Sequence, residues 1–258
     1  MSTRERTVLI TGASGAIGGA LARAYAAPGT RLLLHGRRVE ALEALAEACR
    51  ARGAEVESHD APLTDDSALR RWLEELAARC LPDIIIANAG QNHHVAGPGE
   101  LEPWEGVSDL LAINLRVPMA MANILTPHLV RRGSGQLVLI SSLAAWHGLP
   151  ATPGYSASKA GLKAFGEGLR GHLAPHGVGV TVVMPGYVSS PMCEAMPGPK
   201  PWEWPPDKAA RVIQAGIARN RPRISFPFPL SLGCWCLAVL PAALSQRLLG
   251  LMGYGSPP

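Results

Sequence analysis

The sequence predicts an α/β fold in which a parallel sheet carries helices on both faces. Short apolar runs rich in β-branched residues alternate with segments of helix-favouring composition along most of the 258 residues. This order specifies parallel strands joined by right-handed helical crossovers. The first apolar run, Thr7 to Ile10, leads through a glycine turn directly into a predicted helix. One domain of this type accounts for a chain of this length, so no second domain is required.

Composition and charge exclude several classes of protein. The 24 basic and 20 acidic residues give a net charge of +4 and are scattered, whereas nucleic-acid-binding proteins concentrate basic residues in tracts or patches. The five cysteines form no Cys-x-x-Cys pair, and the polar start from Met1 to Arg6 is unlike a signal peptide. We therefore expect reduced thiols and a cytoplasmic location. His93, His94 and His147 lack carboxylates or thiols at the spacing of a metal site, so we expect no metal.

A glycine-rich turn follows the first predicted strand. Gly12, Gly15 and Gly18 form a Gly-x-x-Gly-x-x-Gly pattern just before a helical segment that we predict from Ala20 to Ala27. Glycines let the backbone approach a pyrophosphate closely, and a helix N-terminus offers free N–H groups and a positive dipole end. The turn therefore predicts a dinucleotide site, with a glycine turn of no function as the alternative. The expected contacts in the turn are Gly12, Ser14, Gly15, Ile17 and Gly18.

The ends of the second and third strands predict which dinucleotide binds. The second strand, Arg31 to Gly36, is followed by Arg37 and Arg38, where a carboxylate would hold the ribose of NAD. Guanidinium groups suit a 2′-phosphate, so we expect NADPH to be preferred over NADH. Two solvated arginines at a helix start are the alternative. Asp60, after the third strand, is placed to accept a hydrogen bond from the adenine amino group.

The fourth strand also ends in a turn of small residues. Asp83 to Ala87 is apolar apart from its first residues, as a strand buried on both faces should be, and Asn88, Ala89 and Gly90 follow it. Such a turn lets a cofactor lie against the backbone.

A long helix is predicted from about Trp104 to Arg132, and it includes Asn114. Proline removes a helix hydrogen bond and crowds the preceding turn. Pro118 is therefore expected to bend this helix or to start a new segment.

The candidate chemistry lies in the second half of the chain. Tyr155 and Lys159 are four residues apart in a predicted helix, so their side chains share one face. A nearby ammonium favours the phenolate, and general acid–base catalysis benefits from a pKa close to the working pH. The fifth strand ends in Ser141 and Ser142, which can bring a hydroxyl to the same carbonyl as the phenol. An ordinary helix surface is the alternative for an isolated Tyr-x-x-x-Lys pair.

Together these motifs resemble the short-chain dehydrogenase/reductase family, in its classical type. The resemblance covers residues from about 7 to 190 and is carried by the glycine turn, Asn88-Ala89-Gly90, Asn114, Ser142, Tyr155-x-x-x-Lys159 and Pro185-Gly186. It implies a Rossmann-like, doubly wound parallel sheet of seven strands. It also implies an oxidoreductase that transfers a hydride between NAD(P) and a carbonyl or alcohol carbon.

The resemblance assigns roles residue by residue. Tyr155 would be the general acid in reduction and the base in oxidation. Lys159 would lower the pKa of Tyr155 and hold the nicotinamide ribose. Ser142 would hydrogen-bond the substrate oxygen, Ser141 would be structural, and Asn114 would anchor a water that relays protons to Lys159. The remaining cofactor contacts would be Pro185, Gly186, Val188 and Ser190.

Residues 191–205 would form a mobile lid over the substrate, within a catalytic domain of residues 1–229. Met192, Met196, Trp202 and Trp204 make this lid apolar. They favour a bulky apolar substrate, although the same side chains could serve packing.

The C-terminal extension, residues 230–258, departs from the family pattern. Residues 230–252 are strongly apolar, and Pro241 divides them into two predicted helices that are too short to cross a bilayer. Three interpretations remain. The helices cover the pocket or a subunit interface, they lie on a membrane surface and recruit an apolar substrate, or they anchor the chain in a membrane.

The sequence thus predicts an NADP(H)-dependent oxidoreductase that acts on a ketone or secondary alcohol, and the apolar lid favours an apolar or lipid-like substrate. An NAD-linked alcohol dehydrogenase working oxidatively is one alternative. A non-catalytic dinucleotide-binding regulatory protein is another, but its expected loss of Tyr, Lys or Ser is not seen. The family resemblance implies a homo-oligomer, a dimer or tetramer formed through the helices at 104–132 and 155–173.

Overall fold

A computed structural model describes residues 6–95, 97 and 99–254. Met1 to Glu5, which bear on the expected lack of a signal peptide, lie outside the described residues, as do residues 255–258 of the extension. The described strands are β1 (Arg6–Ile10), β2 (Thr30–His35), β3 (Glu55–His59), β4 (Ile84–Ala87), β5 (Gly135–Ile140), β6 (Val178–Pro185) and β7 (Arg223–Phe226).

The seven strands form one parallel sheet in the order β3-β2-β1-β4-β5-β6-β7. β2 and β3 are added in turn on one side of β1. The chain then crosses to the other side of β1, where β4, β5, β6 and β7 are added in turn. The doubly wound, Rossmann-like prediction is therefore confirmed. The reversal of strand order between β1 and β4 opens a crevice at the carboxyl ends of the strands, where folds of this type bind ligands.

Helices cover both faces of the sheet. They are α1 (Ala16–Tyr25), α2 (Val39–Arg50), α3 (Asp66–Cys80), α4 (Trp104–Leu111), α5 (Val117–Arg132), α6 (Pro153–Leu173), α7 (Pro191–Glu194), α8 (Pro206–Ala218), α9 (Leu230–Val239) and α10 (Ala242–Leu249). One core joins the sheet to α1, α2 and α8 through Leu21, Leu42 and Ile213. The other joins it to α3, α5 and α6 through Leu73, Leu125 and Leu162. Both faces of the central strands are thus buried, which explains their near-continuous apolar sequences.

Two helices differ from the sequence prediction. α1 begins at Ala16 rather than Ala20, because Gly15 serves as its N-cap and the glycines of the turn enter its first turn. The predicted helix Trp104–Arg132 is interrupted by a π-helical turn, Ala112–Arg116, and Pro118 lies in the first turn of α5. By length and composition Trp104–Arg132 could cross a membrane. Met121 in α5 is fully buried in the core, as expected of a core helix.

The two short apolar helices predicted at the C-terminus are present. α9 and α10 meet at Pro241, and a second π-helical turn, Gly250–Tyr254, follows α10. Together, residues 230–254 form what we call the roof, because they line the outer part of the crevice described next.

Candidate active site

A cavity of about 1620 Å³ runs along the carboxyl ends of the strands. All but two of the predicted site residues line it. They are Gly12, Ser14, Gly15, Ile17, Arg37, Arg38, Asp60, Asn88, Ala89, Gly90, Ser142, Tyr155, Lys159, Pro185, Gly186, Val188 and Ser190. The exceptions, Gly18 and Asn114, are buried behind the cavity wall.

The glycine turn packs too closely for larger residues. Gly12 has a φ of +65°, and a Cβ there would lie 2.8 Å from Ala89 Cα. A Cβ at Gly18 would lie 2.4 Å from the Gly12 carbonyl oxygen. The sequence predicts Gly18 as a cofactor contact, but the structure gives it a packing role. Gly15 caps α1 without a side chain, which leaves the positive end of the helix open to the cavity.

Thr11 and Asn88 fix the shape of this turn. The Asn88 side-chain amide donates to the carbonyl oxygens of Thr11 at 2.9 Å and Gly12 at 3.1 Å. The Thr11 hydroxyl accepts from the backbone N–H groups of Asn88 and Ala89 at 3.0 and 3.1 Å. Asn88 therefore supports the glycine turn as well as lining the cavity. Thr11 directly precedes Gly12 in the glycine-turn motif that carries the family resemblance, but the sequence assigns it no role.

The cavity is basic where it passes the end of β2, next to the glycine turn. Arg37 and Arg38 follow β2, and Arg38 donates a hydrogen bond to the Ser14 carbonyl oxygen. His35 is buried in the floor, with Nε2 2.8 Å from the Ala61 carbonyl oxygen, and burial lowers its pKa. His35 is therefore neutral, and the charged groups next to it are the guanidinium groups of Arg37 and Arg38, which can bind an anion here.

Tyr155 and Ser142 meet at the inner end of the cavity. Tyr155 lies in the first turn of α6, and Ser142 follows β5. The Ser142 hydroxyl hydrogen-bonds the Tyr155 oxygen. Burial nevertheless raises the pKa of the Tyr155 phenol, and the Ser142 hydrogen bond only partly offsets this. The phenol therefore holds its proton at neutral pH.

Burial sets the direction of the Tyr155 pKa shift in this structure, and the lowering effect expected of Lys159 stays a prediction. The Lys159 ammonium donates to the Ile140 carbonyl oxygen at 2.9 Å and lies 5.6 Å from the centre of the Tyr155 ring. Burial lowers the pKa of Lys159 to about 8. Desolvation favours the neutral form of each group, and it is the largest cause of both pKa shifts. Ser141 is structural as predicted, because its hydroxyl donates to the Lys159 carbonyl oxygen at 2.8 Å.

Asn114 lies in the π-helical turn behind the cavity wall. Its side-chain oxygen accepts from the Gln91 N–H at 2.9 Å, and its amide nitrogen donates to the Gln91 carbonyl at 2.9 Å and to Ser158 Oγ at 3.2 Å. A Cβ on Gly90 would lie 3.0 Å from Asn114 Oδ1 and 3.6 Å from Lys159 Nζ. Asn114 is therefore close to Lys159, and its role in a proton relay stays a prediction.

The segment predicted as a lid, residues 191–205, contributes several residues to the cavity lining. Ser190 caps α7 by accepting from Cys193 N at 3.1 Å, and its hydroxyl donates to the Val188 carbonyl oxygen. The backbone N–H of Trp204 donates to the Tyr187 carbonyl oxygen at 3.0 Å. The Trp204 ring stacks on Phe226 with ring centres 5.0 Å apart. Trp204 therefore packs the lid onto the sheet.

The other predicted apolar lid residues, Met192, Met196 and Trp202, line the cavity. The roof supplies the facing wall with apolar and thiol side chains, which are Leu230, Leu232, Cys234, Cys236, Leu237, Leu240, Leu248, Leu249 and Met252. His147 Nε2 lies 2.8 Å from Ser245 Oγ and connects the roof to the loop before α6. The substrate end is therefore mainly apolar. Sequence reasoning could not identify these roof contacts, because local composition does not say what two helices cover.

The groups present fit a dinucleotide. A Cβ at Gly15 would have only the Gly12 carbonyl oxygen within 4 Å and would otherwise project into open space at the N-terminus of α1. An anion such as a pyrophosphate can approach there. Among the described residues, no group of three His, Cys, Asp or Glu side chains could hold a metal ion.

A dinucleotide-dependent oxidoreductase is the class of protein that combines such a crevice with proton-carrying groups at its inner end. A model of the short chain dehydrogenase family matches residues 6–199. An uncharacterized oxidoreductase of Myxococcus xanthus is 36% identical over 93% of this chain and 94% of its own length. The chain therefore belongs to the short-chain dehydrogenase/reductase family, and it is an oxidoreductase acting on CH–OH groups.

Two further comparisons agree. An Arabidopsis thaliana protein described as 11-beta-hydroxysteroid dehydrogenase-like 4A is 30% identical, over 94% of this chain and 83% of that protein. A short-chain dehydrogenase from Sphingobium yanoikuyae, solved in complex with NADPH, superposes with a TM-score of 0.80 at 27% identity and covers 96% of this chain and 94% of that one.

Proposed function

We propose that this chain is an NADP(H)-dependent reductase of ketones attached to bulky apolar molecules, and that it oxidises the matching secondary alcohols in reverse. The observation that carries the proposal is the Tyr155–Ser142 pair at the inner end of a cavity whose outer part is apolar. Two hydroxyls can meet one carbonyl oxygen there, while apolar walls hold the rest of the molecule.

Each residue has a distinct part in the reaction. NADPH, when bound, supplies the hydride. Tyr155 gives its proton to the carbonyl oxygen, and Ser142 hydrogen-bonds the same oxygen. The raised pKa of Tyr155 keeps the phenol protonated, as a general acid for reduction must be before it gives its proton. Lys159, whose pKa is about 8, can return a proton to Tyr155 near neutral pH.

The preference for NADPH rests on Arg37 and Arg38. The three residues after β2 are Gly36, Arg37 and Arg38, and none is a carboxylate. The NADPH complex of the Sphingobium yanoikuyae relative supports this assignment. Replacing both arginines by alanine should raise the KM for NADPH by about tenfold to a hundredfold, since hydrogen bonds to charged groups contribute roughly 1.5–3 kcal/mol. The KM for NADH should change little, and equal losses with both cofactors would argue against phosphate recognition.

The apolar substrate rests on the lid and the roof. Met192, Met196 and Trp202 of the lid line the same cavity as Leu237 and other apolar roof residues. The name of the Arabidopsis relative, a hydroxysteroid dehydrogenase-like protein, agrees with a bulky apolar alcohol or ketone.

Replacing Tyr155 by Phe tests the proposed chemistry. We expect turnover to fall by about 10²–10⁴-fold, the usual contribution of a positioned proton donor. NADPH binding, measured by its fluorescence, should stay within about twofold, because the lost hydroxyl carries the proton rather than the cofactor. Tyr25→Phe is the matched control, since Tyr25 is buried in α1 away from the cavity. Turnover in Y155F that is as high as in Y25F would refute the assignment.

We also propose that the outer side of the roof contacts a membrane surface. α9 is apolar on all sides, and Trp235 and Val239 are 45% and 62% exposed and do not line the cavity. A helix without a polar side needs apolar surroundings on both sides. A second copy of the chain bound to this surface would cover the roof from outside. A lipid surface in the same place would instead let an apolar substrate pass from the membrane into the cavity. Assembly through α4, α5 and α6 stays a prediction.

A further inference from the structure

The hydroxyl of Tyr254, at the end of the roof, connects three segments around the cavity. It donates to the Pro199 carbonyl oxygen in the lid at 2.9 Å. It also accepts a hydrogen bond from the Tyr187 hydroxyl. Tyr187 follows β6 and lines the cavity. One phenol thus joins the roof both to the lid and to the residue from which the lid starts.

The backbone at this junction is shaped for close contact. Gly198 and Gly253 both have positive φ angles, +84° and +82°. A Cβ on Gly198 would lie 3.4 Å from the Gly253 carbonyl oxygen and 3.6 Å from the Tyr254 ring. A Cβ on Gly253 would lie 3.7 Å from the Pro199 ring. Larger residues would be strained at both positions, so the lid and the roof meet through two glycines and are held by one hydroxyl.

The two segments joined by Tyr254 both line the apolar part of the cavity. Met192 and Met196 belong to the lid, Leu237 and Met252 belong to the roof, and all four line the cavity. α9 has no buried residue. The rest of the roof is held by the buried Ser245 and Leu249 of α10 and by the His147–Ser245 contact. The junction at Tyr254 joins the roof directly to the lid and so fixes the position of one segment relative to the other.

We propose that Tyr254 is a specificity-determining residue, which joins the roof to the lid and so lets the cavity hold ketones with a large apolar group. This inference rests on the proposed function. Small ketones reach Tyr155 and Ser142 without touching the roof, so they should be indifferent to Tyr254. Ketones with a long or bulky apolar group should depend on it.

Replacing Tyr254 by Phe removes the hydroxyl and keeps the ring. Methyl nonyl ketone and methyl ethyl ketone share the same reacting group and differ only in their apolar chains. We expect Y254F to raise the KM for methyl nonyl ketone about tenfold, which corresponds to about 1.4 kcal/mol. The kcat for that ketone, and both constants for methyl ethyl ketone, should change less than about twofold, because Tyr254 does not touch the reacting atoms. Y25F, which loses a hydroxyl in the core, serves as control.

The double variant Y187F/Y254F provides an independent test. If the Tyr187 hydroxyl acts on the KM for methyl nonyl ketone through Tyr254, Y187F alone should raise this KM and the double variant should match Y254F within about twofold, which is strong non-additivity. The inference would be overturned if Y254F had the same kcat and KM as the wild type for both ketones. It would also be overturned if kcat/KM fell equally for both ketones, because that indicates a general structural effect. If the wild-type protein reduces neither ketone with NADPH but reduces other carbonyl compounds, the substrate class fails. The proposed function fails if it reduces none.

Discussion

At the scale of single residues, Lys159 is held in the fold at an electrostatic cost. Its side chain is 5% exposed, and burial lowers its pKa from 10.5 to about 8. Below pH 8 folding must bury the charged form. Between pH 8 and 10.5 the folded state has released a proton that the unfolded state still holds, so the free energy of unfolding rises with pH in this window.

Replacing Lys159 by Met removes this cost and keeps the length of the side chain. We expect K159M without cofactor to be more stable than the wild type by up to about 3 kcal/mol at about pH 7. The difference should shrink between pH 8 and 10.5 and disappear above pH 10.5, where Lys159 is neutral in both states. Urea unfolding of both proteins at several pH values measures it, with Lys208→Met at an exposed position as control. A stability difference that does not vary with pH would contradict the burial cost.

The site residues differ in how far the sequence predicts them. Helix periodicity places Tyr155 and Lys159 on one face of α6. Ser142 and Asn88 follow the carboxyl ends of parallel strands, which lie at the same edge of the sheet. The sequence pattern therefore predicts that these four residues belong to one site. The direction of the Tyr155 pKa shift does not follow from this pattern, because it depends on burial by segments distant in sequence. For the same reason, the sequence alone does not reveal that Asn114 lies behind the cavity wall.

At the scale of elements, α6 is capped from outside its own sequence. The Glu102 carboxylate accepts from the Gly154 N–H at 2.7 Å, across 52 residues of chain. Thr152, the N-cap residue, makes no side-chain capping hydrogen bond. A negative charge at this end also favours the helix dipole. Glu102 therefore stabilises the turn that carries Tyr155, a contact too distant in sequence for capping patterns to predict.

Replacing Glu102 by Ala should lower the free energy of unfolding by about 1–2 kcal/mol, the range for a lost cap. The kcat should fall as well, because the first turn of α6 positions Tyr155. Glu102→Gln retains an acceptor oxygen and should recover most of both quantities. Urea unfolding and steady-state kinetics measure the effects, with Glu100→Ala at an exposed loop position as control. A loss of stability in E102A no larger than in E100A would exclude the capping role.

At the scale of the whole molecule, the alternation of strands and helices predicts the sheet and its two covered faces. The position of the roof is not predictable in this way. Composition indicates two apolar helices joined at Pro241, but only the fold shows that Leu237 and its neighbours line the cavity while Trp235 and Val239 face outward. The same short sequence serves two surfaces, which explains why it lacks the alternation of polar and apolar residues typical of a surface helix.

The outward surface of the roof leads to a prediction about the whole chain. We expect the protein to float with vesicles of mixed zwitterionic and anionic phospholipids, and W235S/V239S to bind them at least about tenfold more weakly, since burial of one large apolar side chain contributes about 1.5–3 kcal/mol. W104S/V212S is the matched control, because Trp104 and Val212 are also exposed but lie outside the cavity lining.

The W104S/V212S variant should bind vesicles like the wild type, and turnover of methyl ethyl ketone should be the same in all three proteins, because none of the four side chains lines the cavity. Equal loss of vesicle binding in both variants would indicate unspecific adhesion of exposed apolar residues. If the wild type does not bind vesicles and only W235S/V239S changes the elution volume in gel filtration, a second copy of the chain covers the roof instead. That result would refute the membrane contact and would require the substrate to enter from the side of the lid.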